Sequence, residues 1–380
     1  MVNNLNITEH HFQDGPMLPE DRKELILREL AMRGSLNAAA FAAKAGISGM
    51  TVRRDLAALA GQGLLVRVHG GAVAAPESAP GPHRTPTAPR PRRMPLATIG
   101  MVVPSASYYF PGVIRGAEAA AQEAVVRLVL GVSNYSVQEE QRQLRRLLDN
   151  GVDGILVTPS EAALAGTDTL ALLAGAGVPV VVVERSIEDA LDDGELESVR
   201  SDHVRGAEIA VNHLLSLGHR KVALCVREGS PTAPSVIEGY HLALKRAGMP
   251  RDESLVQALA RPRTDPAGHR AVVESLLDRF AAEDVTAAVI HTDEDALQFT
   301  TACQERRLRV PEDFAIVAYD DEIAALGAVP LSAVAPPKFD VGYQALLMCV
   351  NRIGGRRGGT GALQRVSLSP TLVVRDSTRA

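Results

Sequence analysis

Residues 96–132 read LATIGMVVPSASYYFPGVIRGAEAAAQEAVVRLVLGV. An apolar run (LATIGMVV, 96–103) leads into a polar, aromatic loop from Ser105 to Phe110. A helical stretch with proline at its start (Pro111–Glu123) comes next, and then a second apolar run (VVRLVLGV, 125–132). Apolar residues stand at successive rather than alternate positions in these runs, as expected of strands covered on both faces. A strand, a helix and a second such strand make the βαβ unit of a parallel sheet.

The same texture continues to the end of the chain. Further apolar runs are GILVT (154–158), VPVVVV (178–183), KVALCV (221–226), AAVIHT (287–292) and FAIVAY (314–319). Helical stretches fall between them: Val137–Asp149, Val204–Leu217, Val236–Ala247, Pro266–Phe280, Asp295–Arg307 and Asp340–Ile353. The expected fold class is α/β with parallel sheets. At 285 residues, 96–380 is large for one sheet, so two lobes are expected, about 96–195 plus 336–358 and 196–335 plus 359–380.

In open parallel sheets ligands bind beyond the carboxyl ends of the strands. After the first five runs come Ser105–Phe110, Ser133–Tyr135, Thr158–Ser160, Glu184–Arg185 and Arg227–Glu228. Thr292–Asp293 and Tyr319–Asp321 come after the last two. These positions hold four of the six tyrosines in a chain with no Trp and only seven Phe. Aromatic faces beside carboxylates and guanidinium groups suit a polyhydroxylated ligand. The plainer alternative is that polar residues gather in loops.

Residues 21–73 have a different pattern. Leu25, Ile26, Leu27 and Leu30 mark a helix over Asp21–Arg33, closed by Gly34. Asn37 can cap a second short helix, closed by Gly46. A third begins at Ser48 or Gly49, with Val52, Leu56 and Leu59 on one face. LLVRV then alternates as a strand, and HGGA forms a hairpin turn. Three short helices and a hairpin describe a winged helix-turn-helix, whose last helix enters the major groove. Ser48, Met50, Thr51, Arg53 and Arg54 would face DNA, with Arg67 and His69 on the wing reaching phosphates. A solvated helix face is the competing reading for Arg53–Arg54. The first 20 residues lack periodicity and are expected to be disordered. Residues 74–95, rich in proline, read as a semi-rigid linker.

Composition narrows the function classes. Hydrophobic residues make up 46% and charged residues 22%, an ordinary globular balance. Residues 1–95 hold 12 Lys/Arg and 8 Asp/Glu, a charge of +4. The remaining 28 and 37 give 96–380 a charge of −9. A basic head suits a polyanion partner. Three scattered cysteines, Cys225, Cys303 and Cys349, give neither a disulfide scaffold nor a Cys-x-x-Cys zinc site. No 18-residue apolar stretch and no signal-like start occurs, so a cytoplasmic protein is expected. No G-x-S-x-G, Walker A, H-E-x-x-H or G-x-G-x-x-G fingerprint occurs after a strand. No catalytic residue, metal site or cofactor is therefore expected, and the chain reads as a non-enzyme. The glycine-rich GGRRGGTGA (354–362) comes after a helix and reads as a flexible turn.

These residues carry two resemblances. ISGMTVRRDLAALAGQGLLVRVHGGAV (47–73) resembles the DNA-binding head of the DeoR family, whose pattern is V-S-x-x-T-I-R-R-D-L, then L-x-x-x-G-x-L-x-R-x-H-G-G-A. That resemblance implies that Thr51, Arg53 and Arg54 contact DNA and that Asp55 orients an arginine or steadies the fold. Residues 96–378 resemble the LacI/GalR effector domain, a two-lobed periplasmic-binding-protein-like fold. The pieces, in order, include IGMVVP (99–104), GVDGILVTP (151–159), VPVVVVER (178–185), SVRSDHVRGA (198–207), EGYHLALKRAG (238–248), LRVPEDFAIVAYDD (308–321) and LVVRDST (372–378).

The second resemblance implies that Tyr109 and Phe110 line an effector cleft, that Arg185 faces it, and that Asp320 supplies a ligand carboxylate. Thr292–Asp293 take the place of the family's Asn-Asp. Val236 replaces an arginine that grips the ligand, and Arg227 is the candidate substitute. Ser107 and Tyr135, from the loops after the first two strands, complete the expected ligand-binding set. The implied protein is a transcriptional repressor, homodimeric on double-stranded operator DNA and controlled by a sugar-like effector. A body that has lost sensing and serves as a dimerisation module is the alternative. A sugar- or nucleotide-processing enzyme would need a catalytic constellation that the sequence lacks.

Overall fold

The computed structural model describes residues 22, 23, 25–27, 30, 35–44, 46–61, 64–68, 71–74, 95–161, 163–190, 196–260, 266–355 and 362–379. The chain divides into two units, 1–91 and 92–380. The N-terminal stretch 1–20 and most of the proline-rich segment (75–94) lie outside the described residues, as do His69 and most of the 354–362 turn.

In the first unit, residues 22, 23, 25–27 and 30 are helical. Strand β1 (Ser35–Asn37) precedes helices α1 (Ala38–Lys44) and α2 (Gly49–Gly61) and the hairpin β2 (Leu65–Val68) and β3 (Gly71–Ala74). The sheet order is β1-β3-β2, antiparallel throughout. The short strand β1 is not evident from the sequence. It forms because β3 offers it a free edge. Gly71 allows the approach: a Cβ there would lie 1.9 Å from the Leu36 carbonyl oxygen. Ile26, Leu30, Phe41, Val52, Leu56, Leu59 and Leu65 close one small core.

The second unit has two six-stranded sheets. The first contains β4 (Thr98–Val103), β5 (Arg127–Val132), β6 (Gly154–Val157), β7 (Val180–Val183), β8 (Glu197–Ser201) and β14 (Arg365–Leu368). Their order is β14-β8-β7-β6-β4-β5, all parallel. Helices α3 (Phe110–Glu123), α4 (Val137–Asp149), α5 (Asp168–Ala174) and α10 (Lys338–Gly355) belong to this lobe. Both sheet faces are covered. In β7, Val181 and Val183 enter the core under α3 and α10, while Val180 and Val182 enter the opposite core. That is why the run reads as continuous valine.

The second sheet holds β9 (Val222–Arg227), β10 (Val256–Leu259), β11 (Ala287–His291), β12 (Ala315–Tyr319), β13 (Ser332–Ala335) and β15 (Thr371–Val373). Its order is β10-β9-β11-β12-β13-β15, parallel except for the β13–β15 pair. Helices α6 (His203–Ser216), α7 (Ala233–Arg246), α8 (Pro266–Ala282) and α9 (Asp293–Glu305) complete this lobe, again with a core on each face.

The chain crosses between lobes after β8, after β13 and after β14. Strand pairing thus gives 197–201 and 365–368 to the first sheet, whereas the boundaries drawn from sequence give 196–201 and 359–368 to the second lobe. The crossovers next to β8 and β14 come after those strands rather than before them. Among the described residues, no helix is long and apolar enough to cross a membrane.

Candidate functional site

In the first unit, Ser48 caps α2: its Oγ accepts from the Thr51 amide at 3.1 Å and lies 2.8 Å from Thr51 Oγ1. Val52, Leu56 and Leu59 face inward, which turns Arg53 and Arg54 to solvent and leaves Met50 74% exposed. Asp55 is buried and accepts from Arg22 Nε at 2.9 Å and Nη2 at 3.3 Å. This bidentate pair ties the first helical segment to α2 and orients the helix that carries the arginines. Arg67 is exposed on β2 between the exposed Val66 and Val68.

In the second unit a cleft of about 300 Å³ lies at the carboxyl ends of both sheets. Lobe one contributes Ser105, Ser107, Tyr108, Tyr109 and Phe110 after β4, Tyr135 after β5, and Glu184 and Arg185 after β7. His203 stands at the start of α6. Arg227, Ser230, Pro231, Thr232, His291, Thr292, Glu294 and Asp320 come from the second lobe. This is the location where parallel sheets place ligands.

The side chains are held by one another. Glu184 Oε1 accepts from Tyr109 Oη and Ser201 Oγ, both at 2.8 Å, and Oε2 accepts from the Ser201 amide at 2.9 Å. His203 Nε2 lies 3.7 Å from Glu184 Oε2, and its Nδ1 is 3.2 Å from Tyr319 Oη. Arg185 donates to the carbonyls of Pro159 (3.1 Å) and Glu184 (2.7 Å). Arg227 donates from Nε to Asp295 (3.0 Å) and from Nη2 to Thr292 Oγ1 (2.9 Å) and Glu294 (3.0 Å). Tyr108 reaches across the cleft and donates to Asp293, with Asp320 Oδ2 3.3 Å away.

Burial and these neighbours set the charges. Burial, with Asp293 beside it, pushes Asp320 up to about 7. Burial raises Glu184 too, but the hydrogen bond and charge of His203, with the Ser201 amide, bring it below its ordinary range. Burial, reinforced by His203 and Arg227, pushes His291 down to about 3, so its imidazole is neutral at physiological pH. Burial and the surrounding acids keep Tyr108 and Tyr109 protonated.

Among the described residues nine non-glycine residues have positive φ. Six of them lie in the loops after strands, and four of these, Tyr108, Tyr135, Glu184 and Asp320, line the cleft, with Asn134 and Asp321 next to them in sequence. Left-handed backbone costs on the order of 1 kcal/mol or more for such residues and concentrates at functional sites.

Of the nine residues expected from sequence, Ser107, Tyr109, Phe110, Tyr135, Arg185, Arg227, Thr292 and Asp320 line the cleft. Asp293 does not. It is fully buried behind the wall, where Oδ2 accepts from the amides of Glu322 (2.7 Å), Ile323 (2.7 Å) and Ala324 (3.2 Å). Val236 also lies away from the cleft, fully buried in the core beside Tyr240. On the DNA side, Ser48, Met50, Thr51, Arg53, Arg54 and Arg67 share the first unit, and His69 lies outside the described residues.

Glu184 stands among the strand-end positions named from the sequence but outside the expected ligand set, and His203 and His291 are in neither. Glu184 is visible as the first polar residue after a valine run. Nothing local marks His203, which reads as a helix start.

A family model described as a periplasmic binding protein-like domain matches residues 211–378, and a DeoR-like helix-turn-helix model matches 22–78. The HTH-type transcriptional regulator DegA of Bacillus subtilis is 31% identical over 285 residues, covering 74% of this chain and 80% of DegA. The arabinose metabolism transcriptional repressor of Geobacillus stearothermophilus is 26% identical over 340 residues, 88% of each chain. A solved transcriptional regulator CelR–cellobiose complex matches with a TM-score of 0.64 at 25% identity, covering 87% of this chain and 91% of that one. These relatives are regulators of transcription, not enzymes. The chain belongs to the LacI/GalR family of transcriptional regulators, with a DeoR-like helix-turn-helix ahead of its periplasmic-binding-protein-like body.

Proposed function

We propose that this regulator represses transcription as a cytoplasmic homodimer, with a winged head at 21–73 on operator DNA, a proline-rich linker at 74–95 and a sensing body at 96–380. A small, sugar-like metabolite binds between the two lobes of the body. The observation that carries this reading is the cleft, where aromatic, carboxylate and guanidinium groups from both lobes converge at the strand ends. Such a lining suits a molecule that presents several hydroxyls, each able to donate and accept. The names of two relatives point the same way, one an arabinose repressor and one bound to cellobiose.

Effector binding between lobes changes their relative angle. In a two-fold dimer that angle sets the spacing of the DNA-reading helices, so operator affinity changes. Coupling of about 1–3 kcal/mol is the usual size.

Thermal unfolding of the full chain against pentoses, hexoses, polyols, disaccharides and nucleosides tests the sensing half. Saturating effector adds roughly 2–3 kcal/mol, a shift of several degrees. The same compound should release a labelled operator. Silence across the panel, with DNA binding indifferent to every compound, would instead support a body that only dimerises, a reading motivated by Val236 and Thr292 standing where the family has arginine and asparagine. For the DNA half, Arg53→Ala with Arg54→Ala should weaken operator binding and flatten its salt dependence by up to about two counterions. An unchanged affinity and salt slope would remove both arginines from the interface.

A further inference from the structure

Among the described residues, most of the basic groups around the cleft face acids. Arg227 contacts Glu294 and Asp295 at once, at 3.0 and 2.8 Å. Arg185 donates to two carbonyls, those of Pro159 and Glu184. Lys338 sits over the Tyr109 ring and pairs with Glu322. His203 faces Glu184. Asp320 lines the cleft beside the Tyr108 hydroxyl, with Asp293 behind the wall on the hydroxyl's other side. The cleft therefore offers many acceptors and donors for hydroxyl groups, and Arg227 is already held by two acids.

Of the two acids on Arg227, Glu294 differs from Asp295. Asp295 is completely buried, whereas the Glu294 side chain is 28% accessible. Asp295 is also tied into the start of α9, where it accepts the Thr292 amide at 3.1 Å. Glu294 is thus the acid that an incoming anion would have to displace, or approach, to reach Arg227.

We propose that the cleft selects an uncharged polyhydroxylated molecule, a free sugar or a nucleoside, and rejects its phosphorylated or acid forms, with Glu294 as the residue that sets the preference. This rests on the assignment of the cleft as the effector site. An uncharged hydroxyl can share the Arg227–Glu294 pair without separating it, since it donates to one partner and accepts from the other. A phosphate or carboxylate can only compete with Glu294 and is repelled by the Glu184 carboxylate.

The test uses the full-length protein and matched pairs of ligands at constant ionic strength. The pairs are D-ribose with D-ribose 5-phosphate, D-glucose with D-glucose 6-phosphate and D-glucuronate, and uridine with uridine 5′-monophosphate. Whichever neutral member binds, its charged counterpart should bind at least tenfold more weakly. Inorganic phosphate, titrated calorimetrically, probes the charge filter without a sugar. The wild type should give no binding heat, and Glu294→Gln, which keeps an acceptor but loses the charge, should bind phosphate.

A charged counterpart that binds as tightly as the neutral one overturns the selection and leaves the effector site standing. Phosphate binding by the wild type, or none by Glu294→Gln, removes Glu294 from the role. If no pair binds at all, the effector assignment falls and this proposal falls with it.

Discussion

Asp320 follows β12 directly with φ at +93°, in backbone that a side chain rarely adopts. Its carboxyl is buried and faces Asp293 through a shared tyrosine hydroxyl. One phenolic proton cannot serve two carboxylates, and the two acids repel. The consequence is a proton held up to about 7 in the folded chain, against roughly 3.9 when unfolded. A raised acid costs stability as the pH climbs, because the native state retains a proton that the unfolded chain has released. The contribution of Asp320 therefore falls from about pH 4 to about pH 7 and is flat above. His291, pushed down to about 3, works in the opposite sense and loses stability as pH drops below 6.5. Both effects share a window, so a net pH curve would hide them. Asp320→Asn separates them, since His291 is common to both proteins. The variant should gain on the wild type by an amount that grows between pH 4 and 7, to at most about 4 kcal/mol. Denaturant melts at four pH values across that window measure the gap. A gap that does not change with pH would give Asp320 an ordinary carboxyl.

Helix pairs set how closely the elements of a lobe can pack, and here small residues decide. Helices α3 and α10 cross with Gly116 facing Phe339 and Gly342 facing Val113. A Cβ at Gly116 would lie 1.9 Å from the Phe339 carbonyl oxygen, and one at Gly342 would lie 1.8 Å from that of Val113. Backbone cannot yield as a side chain end can, so Gly116→Ala should push the helices apart and cost roughly 1–3 kcal/mol. The unfolding midpoint of the body should drop by several degrees; no change would show that the crossing has slack. Gly116 lies in a run of small residues (RGAEAAAQE) that reads on paper only as a good helix. The apolar strands are legible in the sequence for a plain reason. Burial on both faces writes itself as continuous Val and Ile, as in β7. Strand β8 (ESVRS) is not, because its polar residues are satisfied by distant ones. Glu197 accepts the Gln364 amide at 3.0 Å, and Ser201 serves Glu184. The site divides the same way. Tyr109, Phe110 and Asp320 can be found by looking just past the end of each strand. His203 cannot, since its part in the cleft depends on Glu184 and Tyr319 arriving from two other strands. Sequence puts Asp293 in the cleft because the residue after a strand usually faces outward, yet three backbone amides draw it inward.

Between the lobes, Tyr108 reaches Asp293, Glu184 faces His203, and Lys338 pairs with Glu322 while bonding the Asp320 carbonyl. These three contacts span the cleft, and all come from residues that also line or border the ligand space. Together they favour a closed arrangement of the lobes over an open one. A receptor that is partly closed in advance binds its ligand more tightly, since apparent affinity scales with the fraction in the competent state. Of the three, the Tyr108 contact is the one that a conservative substitution isolates, a hydroxyl donated to a buried carboxylate. Tyr108→Phe keeps the ring and removes only the donor. Asp293 retains its three amides, so the fold of the 320–324 loop should survive. A hydrogen bond to a charged group, net of the water that replaces it, is worth about 1–2 kcal/mol here. Effector affinity should therefore fall about five- to thirtyfold, and operator release should shift to correspondingly higher effector concentration. Scattering from the ligand-free variant should show a larger radius of gyration for the same reason. Titration calorimetry with the effector decides the matter: an unchanged dissociation constant with an unchanged radius would mean that the lobes close without help from Tyr108, and that its contact with Asp293 is a result of the closure rather than a cause.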